Sequence, residues 1–165
     1  MRYDGGSFNP LESNMQHSRI VGGSTAKRVI NCPGSVALVA KMPPQVENKY
    51  MAEGTALHAA IDQIVNADVP ASSYLGKKVE GVVIDDNHVA KLEYAVTALE
   101  MLDPGYEMQF ITETQVGFPG VKELEGVYGH TDLLGRIDDR AIVLDWKFGD
   151  GVIVEAEEKI GRAHV

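Results

Sequence analysis

Cysteine is nearly absent from this chain. Cys32 stands alone, so no disulfide can close within the chain, and the four thiolates that normally hold an iron–sulfur cluster are not there. A single thiol suits a reducing, cytoplasmic setting. Long apolar runs are also missing: none could span a bilayer, and the first residues carry no signal-peptide h-region, so no membrane partner is expected. Positive charge is scarce. Fifteen Lys and Arg face 24 Asp and Glu, a net charge of −9, which argues against a broad basic surface for nucleic acid. What is present is ordinary: 165 residues, 44% hydrophobic and 24% charged, enough for one soluble domain with a normal core.

The polar, Gly/Asn/Ser-rich stretch Met1–Gln16 is expected to be a disordered lead-in. Ser24–Asn31 reads as a short helix interrupted at Pro33. Gly34–Lys41 reads as one or two further turns with Val36, Leu38 and Val39 buried, ended by Pro43-Pro44. Glu53–Asn66 sets Leu57, Ile61, Ile64 and Val65 on one stripe of an amphipathic helix. Ala67–Val83 is a connection, with room for a short strand at Gly81–Ile84. Asp85 or Asp86 can cap a helix that runs through Leu102, with Val89, Leu92, Val96 and Leu99 at helical spacing and Pro104-Gly105 as the stop. Met108–Val116 alternates as a strand, Gly117–Glu125 is a loop, and Val152–Val154 could open a further strand. Helices therefore come first and a three-stranded meander follows.

Gly129–Gly151, GHTDLLGRIDDRAIVLDWKFGDG, carries the chemistry. An apolar, β-branched run broken once, at Asp138-Asp139, reads as a β-hairpin. A two-residue loop there pairs Ile137 with Arg140, which sets Asp132 opposite Asp145 and His130 opposite Lys147. A three-residue loop would shift that pairing. Facing carboxylates have Cβ atoms about 4.5–5.5 Å apart and repel. Period-two alternation adds Lys147 to the face of Asp145. Two facing carboxylates beside a lysine make sense around a divalent cation; otherwise the hairpin's polar residues simply solvate one face. Leu133, Leu134, Ile142, Val143 and Leu144 leave no polar alternation, so both strands read as buried on both faces. Trp146, facing away from Asp145, reads as core. Glu113, on the preceding strand, either adds a carboxylate or is an exposed strand residue, and His130 has at most a minor electrostatic role.

The last residues, Ile160–Val165, match an in-frame translation of ATC GGA AGA GCA CAC GTC, a common sequencing-adapter string. A gene fragment is therefore expected, with adapter sequence over 160–165 and His164 not a ligand.

"INCPGS" (Ile30–Ser35), "YMAEGTALH" (Tyr50–His58), "GHTD" (Gly129–Asp132) and "LDWKFGDG" (Leu144–Gly151) together resemble the RecB-like branch of the PD-(D/E)XK nuclease superfamily. Within it, they resemble a phage and prophage family described mainly as a domain of unknown function. The resemblance covers roughly His17 to Glu158. It implies a partial nuclease domain over 17–159, of the restriction-endonuclease-like α/β class: N-terminal helices, then a three-stranded antiparallel meander, incomplete at the C-terminus. It implies divalent-metal-dependent hydrolysis of DNA phosphodiesters by a phage-type exonuclease or recombination nuclease, in a bacterial or phage-infected cell, with DNA and phage recombination proteins as partners. Asp132 matches the first acidic position, Asp145 the second and Lys147 the motif lysine. His58 matches the branch's extra metal-contacting histidine. Glu53 matches the pattern in a supporting role, although it lies one and a half turns before His58 and so off its face.

On that reading Asp132, Asp145 and His58 hold Mg²⁺ or Mn²⁺, and Lys147 orients water or stabilises the transition state. The bound cations also reverse the local sign of an acidic site, which tempers the charge argument above. Cys32 resembles the first cluster thiolate of some relatives, but CPGS is equally a helix-start element, which is preferred, and no iron–sulfur cluster is expected here. The branch usually continues into a helix bearing Gln and Tyr. Without it, this fragment is expected to be poorly soluble and impaired in cleavage. Two other classes compete: a non-catalytic DNA- or protein-binding module on the same fold, and a metal hydrolase acting on another substrate.

Overall fold

A computed structural model describes residues 21–22, 25–43 and 48–148. The expected lead-in Met1–Gln16, the strand at Val152–Val154 and the stretch Ile160–Val165 lie outside the described residues. Four helices and five strands occur among those described: α1 (Ala26–Asn31), α2 (Ser35–Val39), α3 (Lys49–Ala67), β1 (Lys78–Val79), β2 (Val82–Val83), α4 (Asp86–Leu102), β3 (Gln109–Gly117), β4 (Tyr128–Ile137) and β5 (Arg140–Leu144). The architecture is mixed α/β, with a three-stranded antiparallel sheet in the order β3-β4-β5. No helix among the described residues is long and apolar enough to cross a membrane. The chain divides into two compact units.

The unit that spans 48–113 and 132–148 holds the main core. Asn48 starts α3 by accepting the Met51 N–H on its side chain at 3.0 Å, and Asp68 ends it in a left-handed conformation, φ 53. Leu57, Ile61 and Ile64 fill the expected stripe, with Ala56 and Ala60 beside them. Asp85 caps α4 reciprocally: its carboxylate accepts the His88 N–H at 3.0 Å, and His88 Nδ1 accepts the Asp85 N–H at 3.2 Å. That His88 N–H is the main reason the Asp85 carboxyl sits below its ordinary 3.8. Val89, Leu92 and Ala95 turn inward from α4.

Between the helices, β1 and β2 form a small hairpin whose turn residues Glu80 and Gly81 are both left-handed, φ 45 and 84. This is the geometry of a two-residue turn matched to strand twist. Leu57, Ile61, Ile84 and Leu92 are almost fully removed from solvent, each contributing roughly 1.5–3 kcal/mol of apolar burial.

After α4, the Asp103 carboxylate accepts the Glu107 and Met108 N–H groups at 3.0 and 2.8 Å, turning the chain into β3. The β4–β5 hairpin has the two-residue loop: Ile137 pairs with Arg140 and Leu133 with Leu144. Asp138 carries the turn in a left-handed conformation, φ 54. Burial of the strands differs from expectation. Leu133 and Ile137 of β4 are buried, whereas Val143 of β5 is 65% exposed and alternate β5 residues face solvent. The sheet is antiparallel, and such a sheet can leave one face to solvent: Ala141 and Val143 lie on that face, so a continuous apolar run did not mean burial on both faces.

In the unit that includes 25–43 and 114–131, α1 and α2 form where the sequence suggests, but their packing differs. Ser35 is the buried residue of α2, while Leu38 is 65% and Val39 39% exposed. A helix of five residues is little more than one turn and cannot carry a full apolar stripe. A 3₁₀ turn, Lys122–Leu124, interrupts the loop before β4.

Candidate metal centre

Three side chains from three elements converge within the unit of α3 and α4. His58 from α3, Glu113 from β3 and Asp132 from β4 each bring one ligand atom to within 4.8 Å of the other two, and all three are half-buried. His58 Nδ1 lies 3.4 Å from Asp132 Oδ2, and the imidazole is set edge-to-face on Phe148, ring centroids 5.3 Å apart. Asp132 Oδ2 also accepts the backbone N–H of Trp146 in a short hydrogen bond. That bond anchors the DWKF segment to β4 just beyond the last ladder pair and fixes the orientation of the carboxylate.

Glu113 reaches the cluster through an irregularity in β3. It is left-handed, φ 46, inside a strand, and burial alternation breaks over Thr112, Glu113 and Thr114. A left-handed residue inside a strand takes its side chain out of the regular alternation. A non-glycine residue in this conformation is strained, and such strain persists where neighbouring structure imposes it. Next to it, Thr112 Oγ1 accepts from Asn66 of α3 at 2.7 Å. Desolvation, then the Asp132 charge, push the Glu113 carboxyl above its ordinary 4.5, although His58 opposes the shift.

The chemistry of this donor set fits a divalent cation. Two carboxylates and one imidazole suit Mg²⁺ or Mn²⁺. Metal–oxygen bonds of about 2.1 Å put adjacent octahedral ligands ~3 Å apart, so a 3.4 Å His58–Asp132 spacing needs only a small adjustment. A cation would also offset the Asp132 repulsion that adds to the effect of desolvation on Glu113.

Asp145 and Lys147 share the expected side of their segment, and Lys147 Nζ lies 2.6 Å from Asp145 Oδ1. Asp145 is not among the three groups that converge. β5 ends at Leu144, one residue short of the Asp132–Asp145 pair, and the two carboxylates turn to different partners: Asp132 to His58 and the Trp146 N–H, Asp145 to Lys147.

Glu53 does not join the cluster. Its carboxylate lies 3.5 Å from His88 Nε2 and 3.8 Å from Lys49 Nζ, tying α3 to the start of α4. His130 stacks edge-to-face with Tyr128, centroids 5.9 Å apart. Trp146 and Phe148 are partly buried against the core of α3 and α4.

Glu113 was harder to read from the sequence, because a single left-handed residue in β3 leaves no mark in a regular apolar–polar alternation. It also passed over His88, whose signal was legible: a histidine three residues after a capping aspartate can return the cap.

The family described as "Protein of unknown function (DUF2800)" matches residues 17–160. This chain belongs to that family. The DUF2800 match contains the α3 histidine, both hairpin aspartates and Lys147. No solved structure matches the chain significantly.

Proposed function

We propose that this DUF2800 protein is a divalent-metal-dependent DNA phosphodiesterase built on a PD-(D/E)XK core. The observation that carries the reading is the convergence of His58, Glu113 and Asp132 within 4.8 Å, beside a segment that holds Asp145 and Lys147. His58, Glu113 and Asp132 would hold the ion, with Asp145 next along the hairpin. A bound Mg²⁺ or Mn²⁺ would supply positive charge against the phosphate and lower the pKa of a water. The Trp146 N–H keeps Asp132 oriented, and Phe148 keeps the imidazole edge-on. Lys147, once turned from Asp145 toward substrate, would place an ammonium against charge that develops on the phosphate.

The test is Mn²⁺ binding by calorimetry, together with Mg²⁺- or Mn²⁺-dependent cleavage of end-labelled DNA, both lost in Asp132→Asn. A chain that binds no divalent ion at millimolar concentration and cuts no DNA would sink the reading. One observation favours a second reading, the non-catalytic binding module: Lys147 is matched by Asp145 at 2.6 Å. Metal binding with no cleavage, and DNA affinity indifferent to the metal, would select it.

A further inference from the structure

A groove of about 410 Å³ runs between the DWKF segment and α4. Lys91 and Tyr94 line it from α4, with alanines one turn to either side of Tyr94; Asp145, Trp146, Lys147 and Phe148 line it from the segment. Its volume is within the range of small-ligand sites. Tyr94 is 79% exposed and points away from the face of α4 that buries Leu92. Trp146 and Phe148 pack their inner sides on the core and present apolar surface to the groove. Lys91 of α4 and the Asp145–Lys147 pair are the charged groups along the groove, in a chain whose net charge is −9.

Aromatic surface with flanking cations is the chemistry that binds single-stranded nucleic acid, in which a base stacks and its phosphate meets a lysine. We infer that this groove is a nucleotide-stacking subsite for single-stranded DNA, with the base against Tyr94 and the phosphate at Lys91. The inference rests on the reading of the protein as a DNA phosphodiesterase, and it adds where the strand lies. Asp145 and Lys147 line the groove and lie on the segment whose Trp146 N–H is held by Asp132, so a nucleotide held there would flank the phosphate presented to Lys147. A single strand is the specific expectation, because a paired base keeps its faces stacked on its neighbours and cannot offer one to Tyr94.

Trp146 is the chain's only tryptophan and reports directly on the groove. The experiment titrates the whole chain with short oligothymidylate in EDTA and follows Trp146 emission. Saturable quenching is expected. Tyr94→Ala should weaken it on the order of tenfold, whereas Tyr94→Phe, which keeps a stacking ring, should stay within about twofold of the parent. Lys91→Ala should weaken binding and flatten its salt dependence. Emission that ignores the oligonucleotide, as it would with the groove covered by the chain itself or by a second copy, overturns the inference. Quenching that Tyr94→Ala leaves unchanged also overturns it. The two proposals fail separately: Tyr94-dependent quenching without metal-dependent cleavage leaves the subsite standing and removes the catalytic reading. Cleavage lost in Asp132→Asn, with oligonucleotide affinity intact in Tyr94→Ala, does the reverse.

Discussion

The β4–β5 hairpin carries two pairs of aspartates, one at each end, and they meet opposite fates. At the closed end Asp138 and Asp139 make the turn: both are exposed, and the strain falls on the backbone of Asp138, φ 54. At the open end Asp132 is half-buried, faces an imidazole at 3.4 Å and accepts a backbone N–H, while Asp145 pairs with a lysine at 2.6 Å. Residue type is the same at all four positions. Surroundings make the difference: solvent screens the turn pair, whereas desolvation and a second carboxylate, Glu113, make the open end sensitive to charge.

The strongest way to break this contrast is to remove one charge from each end. Asp132→Asn should lower Mn²⁺ affinity on the order of 100-fold or more, whereas Asp138→Asn should leave the same calorimetric titration unchanged. Equal losses from both would show that the protein binds cations non-specifically through its acidity.

Lys147→Met comes next. DNA cleavage should fall at least about 100-fold, with Mn²⁺ affinity within about threefold of the parent, since the lysine is no ligand. A parallel loss of metal binding would give Lys147 a structural role instead.

Glu113→Gln should split two properties. Mn²⁺ affinity should drop by about tenfold or more, while the metal-free protein becomes more stable at neutral pH. The sign follows from the raised carboxyl. The folded state holds the Glu113 proton more tightly than the unfolded state, so the stability of the metal-free protein falls as pH rises from about the ordinary 4.5 through the raised value. Urea melts at pH 4, 6 and 8 should show that this fall is smaller in the Gln variant. An unchanged pH slope would place Glu113 in an unperturbed site.

The smallest effect belongs to the turn. Asp138→Gly relieves a left-handed residue, and thermal melting should show a gain of at most about 1 kcal/mol with no change at the metal centre.

Much of this was legible before any coordinates. Leu57, Ile61 and Ile64 declared α3 by spacing, Asp85 announced the start of α4, and a two-residue loop at Asp138-Asp139 set the hairpin register. These are local properties: periodicity, caps and turns act over a few residues, so a linear string records them. The burial of β5 was not legible, because whether a face of an antiparallel strand is covered depends on elements elsewhere in the chain. Glu53 looked like company for His58, yet it serves His88 on another helix.

By itself the sequence determined the four helices and the three longer strands, though not the short β1, and that Asp132, Asp145 and Lys147 share one end of one hairpin. Only the tertiary structure decided which carboxylates meet. Glu113 joins His58 and Asp132 through a backbone irregularity in β3, and Asp145 turns to Lys147. Convergence of side chains from α3, β3 and β4 is a matter of packing and strand geometry, and no spacing along the chain encodes it.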